Sequence, residues 1–457
     1  MLFRSDAAEL NRLGLAAWRE AQLTPAPWPP RLPPAWQAQL EAQTIQQVDV
    51  TPLARRMEAQ RKAVETQPDG DARAKALADW GRDMTRLSRE GQARLLWRAV
   101  ASPHQLQSQL GWFWLNHFSV FVLKSNARVT LPDLDDQLQQ RALGRFRDLL
   151  GAATLHPAML RYLDNGQNTA DKLNENLGRE LLELHTLGVD GGYTQDDVRT
   201  AARVLTGLGY ATAEQPPRQP PAAYRRLGLT EFLPSRHDSG PKVLLGQPLR
   251  AEGLAEVDEM LDRLARHPST ARHVCRRLAH YFLGQPPGEA LLQRLSAVFL
   301  AQDGRTDAVM RALFDDPAFE ASLGQGFKDP THWLVSALRL GLDGPDLGVP
   351  DAGQLVGWLT RLGQPPYGRL TPDGYPLEDS AWSGPGQLTA RFDVARTLAA
   401  TWPRLWTGGR APGLDEALAQ ALRTPGIAAA TREVLAQART PADRLALWLS
   451  SPEFMRR

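Results

Sequence analysis

The sequence predicts a mainly α-helical fold: a multi-helix globular body with Pro/Gly-rich loops and one small β-hairpin near 230–247. Three observations carry this expectation. Most of the 457 residues lie in stretches rich in Ala, Leu, Arg, Gln and Glu whose apolar positions recur at three and four residues, the period of an amphipathic helix. Many of the 35 prolines gather in clusters between those stretches, where they punctuate helices instead of kinking them. Only one region, after residue 210, combines short apolar runs with turn residues in the manner of strands.

The elements follow in chain order. Met1–Glu20 carries a charge every few positions and lacks the apolar core and small-residue cleavage site of a secretory signal. Cytoplasmic placement is therefore the default expectation, with periplasmic placement or export alongside a partner as the alternative. Thr24–Pro34, TPAPWPPRLPP, cannot be helical and reads either as an extended strap laying Trp28 on the body or as a flexible linker; residues 1–34 form one N-terminal segment. Helices are predicted over 35–67, 72–100, 104–122 and 135–150, followed by a dense middle from His156 to Gly209, so that 35–210 is an N-terminal helical part. A second proline cluster, Glu214–Pro221, opens an irregular stretch over 211–250. Within it, Phe232-Leu233 and Lys242-Val243-Leu244-Leu245, separated by Asp238-Ser239-Gly240-Pro241, predict the hairpin. Helices resume from Glu252 to Leu342, and after the Gly363–Gly386 loop the chain ends in further helices, with 251–457 expected to form one compact unit with 35–210.

Charge and motif content narrow the function classes. With 53 Lys+Arg against 51 Asp+Glu, the chain builds no overall field for nucleic acid. A single cysteine excludes an intramolecular disulfide and any Cys-rich metal site. No apolar run is long enough to span a membrane. P-loop, strand-linked G-x-G-x-x-G and G-x-S-x-G patterns are all missing.

Two inward-pointing polar residues are the main site candidates. On a helix predicted to begin near Ala170, Leu173, Leu177, Leu181, Leu184 and Leu187 make one stripe that contains Glu180. A carboxylate there must be paired, metal-bound or protonated. His117 is flanked by Leu110, Phe113, Trp114, Val120 and Phe121 at helical spacing, and a buried imidazole needs a hydrogen-bond partner. His117 and Glu180 are therefore expected to share a pocket, with His185 on its flank as a third catalytic candidate and Trp112 and Trp114 as walls. Arg179 and Glu183 fall on the opposite face, in an i,i+4 ladder with Glu175, as supporting residues. Arg203, His237 and Asp238 are further candidate partners. A transition metal, if any, would rest on His117, Glu180 and His185, because neither Glu-x-x-His nor H-E-x-x-H is present. His273, Arg276, Arg277 and His280 form a basic helix face, either solvated and acid-paired or anion-binding. Gly188 should end one helix, and Thr194 with Asp197 should cap the next.

The run HPAMLRYLDNGQNTADKLNENLGRELLELHTLGVDGGYTQDDVRTAARVLTGL, from His156 to Leu208, resembles the central signature of the bacterial family catalogued as domain of unknown function 1800. FWLNHFSV, RHDSGPKVLLGQ, RHPSTARHVCRRLAHYF, LVSALRLG, LGQPPYG and SSPEFMRR follow the same order, so the resemblance spans Trp80 to Arg457. It implies a mainly helical protein encoded beside sulfatase- and alkaline-phosphatase-like proteins that often carry export signals. The family pattern covers Asn116, His117, Arg179, Glu180, Glu183, His185, Thr194, Arg203, His237, Gly240 and Lys242. Many relatives have His where this chain has Leu115, a departure that weakens any metal site needing both imidazoles. Two functions follow as expectations: an enzyme or cofactor-binding protein with a buried His/Glu pocket, or a non-catalytic helical partner or scaffold of a sulfatase-like protein.

Overall fold

A 31-residue helix, Asp71–Ala101, is the spine around which the other elements are arranged. Its first half is largely exposed, but Gly91–Arg98 is buried throughout. Leu95 joins one apolar core, while Ala93, Leu96, Trp97 and Val100 join a second on another face of the same helix. The computed structural model describes residues 4–213, 215–216, 221–340, 342, 347–413, 418–419 and 426–457.

The first core is built by helices Gln105–His117, Leu131–Gln140, Phe146–Thr154, Pro157–Tyr162, Gln195–Val204, Ala255–Ala265, Pro268–Leu283, Glu289–Ala301 and Thr306–Phe314. The second gathers Pro34–Glu41, Pro330–Arg339, Ala352–Arg361, Pro385–Leu405 and Pro441–Leu449. It absorbs much of the tryptophan, including Trp36, Trp333, Trp402 and Trp448. A smaller cluster packs Leu53, Ala54 and Met57 of Val50–Glu65 on Met84 and Leu87. The fold is thus mainly α, with a few short strands. Among the described residues no helix is long and apolar enough to cross a membrane.

Several predicted boundaries move, each for a local reason. The 35–67 stretch divides into Pro34–Glu41, Thr44–Gln47 and Val50–Glu65, with extended Gln43, Val48 and Asp49 between them; Pro52 is tolerated only in a first turn, which fixes the restart. The 104–122 helix stops at His117. Beyond Phe118 the backbone leaves the helix, and the Val122 amide bonds the Tyr367 carbonyl at 3.0 Å instead. The 135–150 prediction resolves into Leu131–Gln140 and Phe146–Thr154. Thr24–Pro33 is non-helical, with Arg98 stacked 4.8 Å from the Trp28 ring centroid.

The 211–250 stretch also departs in detail. Thr230–Phe232 pairs antiparallel with Leu208–Tyr210 on one side and Arg225–Leu227 on the other. Val243–Leu244 pairs separately with Gln247–Pro248. Phe232 and the Val243 run therefore do not face each other, because Leu245 and Gly246, at φ 53 and 74, close a tight turn of their own. Residues 214 and 217–220 of the second proline cluster lie outside the described residues.

The helix predicted near Ala170 begins at Asn176. Asparagine side chains shape the preceding turn, since the Asn174 amide donates to Asn168 Oδ1 and the Asn176 amide to Asn174 Oδ1. After Glu180 the chain widens into a π-helix, Leu181–Thr186, with the Leu187 amide donating to the Leu182 carbonyl at 2.8 Å. This one-turn change displaces every later side chain from its α-helical projection.

Candidate functional site

The site is built on the Pro268–Leu283 helix. His267 caps its start, with Nδ1 accepting from the Ser269 amide at 3.1 Å, and Pro268 occupies the first turn. Ala271, Val274, Cys275, Leu278 and Ala279 are buried. This burial turns His273, Arg276, Arg277 and His280 toward a cavity of about 530 Å³. The other walls are the turn Leu187–Asp190, which follows the π-helix, and the loop Arg369–Glu378.

The π-helix supplies acceptors beneath the cavity. His273 Nε2 donates to the Leu184 carbonyl at 3.1 Å, and His117 Nε2 donates to the His185 carbonyl at 3.1 Å. A carbonyl only accepts, so both imidazoles carry their proton on Nε2. The His117 ring centre lies 6.2 Å from that of His185 and 6.0 Å from that of His273, forming a three-histidine cluster. Trp114 meets His117 edge-on at 5.6 Å, its Nε1 donating to the Ala142 carbonyl at 3.0 Å.

All three imidazoles are held neutral. Burial, then the charge of Arg277, pushes His117 well below its ordinary range, His185 down to about 3 and His273 down to about 4. Nδ1 of His117 and Nε2 of His185 are buried and have no hydrogen-bond partner among the described residues. Arg277 adds a positive charge with a buried, unbonded Nε, and no ion pair or hydrogen bond engages its guanidinium among the described residues. Arg272, by contrast, is held by Glu289 through two 2.7 Å bonds, and Arg369 pairs with Asp373 at 2.8 Å.

The loop wall is fixed from the end of the Gln105–His117 helix. Asn116 Oδ1 accepts from the Tyr375 amide at 2.6 Å while its Nδ2 donates to the Tyr375 carbonyl at 3.0 Å. Gly374, at φ +79, sits so close that a Cβ would lie 2.2 Å from the Asn116 carbonyl oxygen. Asn116 thus holds one wall, and the adjacent His117 packs behind His273 on the other.

The model of the family described as "Protein of unknown function (DUF1800)" matches residues 3–456. The chain belongs to DUF1800. No curated protein and no solved structure matches it.

Of the residues expected from the DUF1800 signature, none lines this cavity: Asn116 holds its loop wall through Tyr375, and His117 and His185 pack behind His273. Glu180 does not join them by any hydrogen bond or ion pair among the described residues. Because the helix starts late and then widens, its carboxyl is only half-buried; burial and then the charge of Glu183 raise its pKa. His185, through its backbone carbonyl, takes the role of His117 partner expected of Glu180. Arg179 bonds Glu175 at 2.8 Å in the surface ladder, and Glu183 lies half-buried near Tyr193. Trp112 borders a narrow cleft behind the loop with Asn116 and Tyr375.

Arg203, His237 and Asp238 belong to a second network, and none of them lines the cavity. Arg203 grips Asp238 at 2.6 and 3.1 Å, the His237 ring bonds Thr206, and buried Lys242 pairs with Glu256 at 2.7 Å. This ties the 234–242 turn to its neighbouring helices. Thr194 and Asp197 form the expected capping box. Among the described residues no group of three or more His, Cys, Asp or Glu is placed to hold a metal ion.

Sequence reasoning found the basic helix face but missed the wall opposite it. The available signal was the Arg369-x-x-x-Asp373-Gly374 turn inside a Pro/Gly-rich loop, which nothing local connects to Asn116.

Proposed function

We propose that this DUF1800 protein binds a small molecule through an oxyanion (carboxylate, phosphate or sulfate) that docks on Arg276 and Arg277 above the histidine cluster. The observation that carries this reading is Arg277, a partly buried guanidinium with no ion-pair partner among the described residues, in a cavity of ligand size. Such a charge is costly without an anionic partner, and guanidinium geometry suits oxyanions. The His273 imidazole on the same wall is neutral, with its Nε2 proton committed to the Leu184 carbonyl, so the arginines carry the attraction for the anion. It is a different pocket from the one expected around His117 and Glu180, since none of Trp112, Trp114, His117, Glu180 and His185 lines this cavity.

Scaffolding is the second reading, favoured by the well-bonded Arg203–Asp238 and Lys242–Glu256 network, which has a structural role. Calorimetric titration of the full chain with inorganic phosphate, sulfate and acetate separates the two readings. Binding is expected to be saturable and to weaken about tenfold or more in Arg277→Met, the loss typical of a charge-assisted hydrogen bond. Absence of binding to all three anions at millimolar concentration, with the protein folded, would overturn the proposal.

A further inference from the structure

The cavity is bipolar. On the helix wall, Arg276 and Arg277 carry charges that no carboxylate pairs with among the described residues. On the facing turn and loop, the exposed carboxylates of Asp190 and Glu378 have no hydrogen-bond or ion-pair partner among the described residues. Glu378 is the carboxylate whose charge Arg277 feels most, with Asp373 next, yet neither closes an ion pair with it. Asp373 is already taken by Arg369 and Thr371.

Exposed charges of opposite sign gain little by closing onto each other, and they stay available to a ligand when their carriers are kept apart. Here the Asn116 clasp on Tyr375 and the tight seat of Gly374 hold the loop, while regular helix geometry holds the backbone that carries Arg276 and Arg277. The two charges are held apart across a space that can take a small organic molecule.

We infer that the ligand is a small zwitterion, a molecule carrying an oxyanion for Arg276 and Arg277 and an ammonium group for Glu378 and Asp190. The inference rests on the oxyanion reading above and adds the second charge. Two sources share this chemistry, an α-amino acid and an aminoalkyl phosphate. They differ in the oxyanion and not in the ammonium.

The test is a calorimetric titration of the full-length protein with matched pairs: L-alanine against propionate, and O-phosphoethanolamine against ethyl phosphate. In at least one pair the zwitterion should bind about fivefold or more tightly than its ammonium-free partner, the scale of one partly exposed ion pair. The pair in which this occurs identifies the source. Glu378→Gln, at an exposed position that does not threaten folding, should bring the two affinities of that pair together. Equal affinities within both pairs, or a preference that survives in Glu378→Gln, would overturn the zwitterion inference while leaving the oxyanion reading standing. If none of the four compounds binds, both fail.

Discussion

At the scale of single residues, the molecule contains several buried ionisable groups whose protonation is set by burial, and they do not all serve the pocket. Asp135 is fully buried, accepting from Tyr367 Oη at 3.0 Å and from Gln139 Nε2 at 3.1 Å. Burial, followed by the neighbouring charge of Asp136, pushes its pKa up to about 6. The folded state therefore favours the protonated acid, and this contribution to stability is lost as pH rises from about 4 to 6. Asp135→Asn removes the charge and keeps an acceptor for Tyr367. Rotation of the Gln139 amide would turn its unbonded Oε1 toward the new amide. The variant should be more stable than the parent by about 1 to 3 kcal/mol at pH 8 and nearly equal to it at pH 4, as read from urea unfolding. A destabilised variant at pH 8 would contradict the assignment.

At the scale of elements, helix existence was legible in the sequence, whereas helix ends were set by partners far along the chain. The i, i+3, i+4, i+7 spacing of His273, Arg276, Arg277 and His280 identified the basic wall without any tertiary information. His117 likewise reads as inward from its aromatic neighbours, and it is buried. Glu180 was misplaced because periodicity assumes one uninterrupted α-helix, and no propensity rule signals the π-turn that follows it. The loop wall was invisible for another reason: its position depends on Asn116, which reaches Tyr375 across the fold. Gly374→Ala tests that dependence. A Cβ there conflicts with both the backbone of Asn116 and a positive φ, so a loss of about 1 to 3 kcal/mol is expected. Phosphate affinity should fall with it, although residue 374 bears no charge. Thermal denaturation and titration of the same sample check both effects, and unchanged phosphate affinity would show that the loop does not shape the site.

At the scale of the whole molecule, the histidine cluster makes stability depend on acidity in the direction opposite to Asp135. His117, His185 and His273 are neutral in the fold, with pKa values depressed below the ordinary imidazole range. As pH falls from about 6.5 toward 4 the unfolded chain takes up protons that the folded one refuses, so stability drains away through that window. His273 alone, depressed to about 4, represents about 3 kcal/mol on this scale. The three imidazoles should outweigh the single carboxyl. The urea midpoint should decline steadily over that interval, and the decline should be shallower in His273→Gln, whose amide can still donate to the Leu184 carbonyl. A flat profile would mean that the cluster is not neutral.

The π-helix at Leu181–Thr186 gives the site a dependence on register as well as on residue type. Its wider turn carries about one residue more than an α-turn of the same rise, and that surplus sets where the Leu184 and His185 carbonyls meet His273 and His117. Removing one residue from this turn would restore regular helix and rotate everything after the deletion by about 100°. The signature histidines and arginines would still be present, in the same order, but the two imidazoles would no longer find their carbonyls. Chains that match this one letter for letter around the histidines are thus equivalent only if they also match in count.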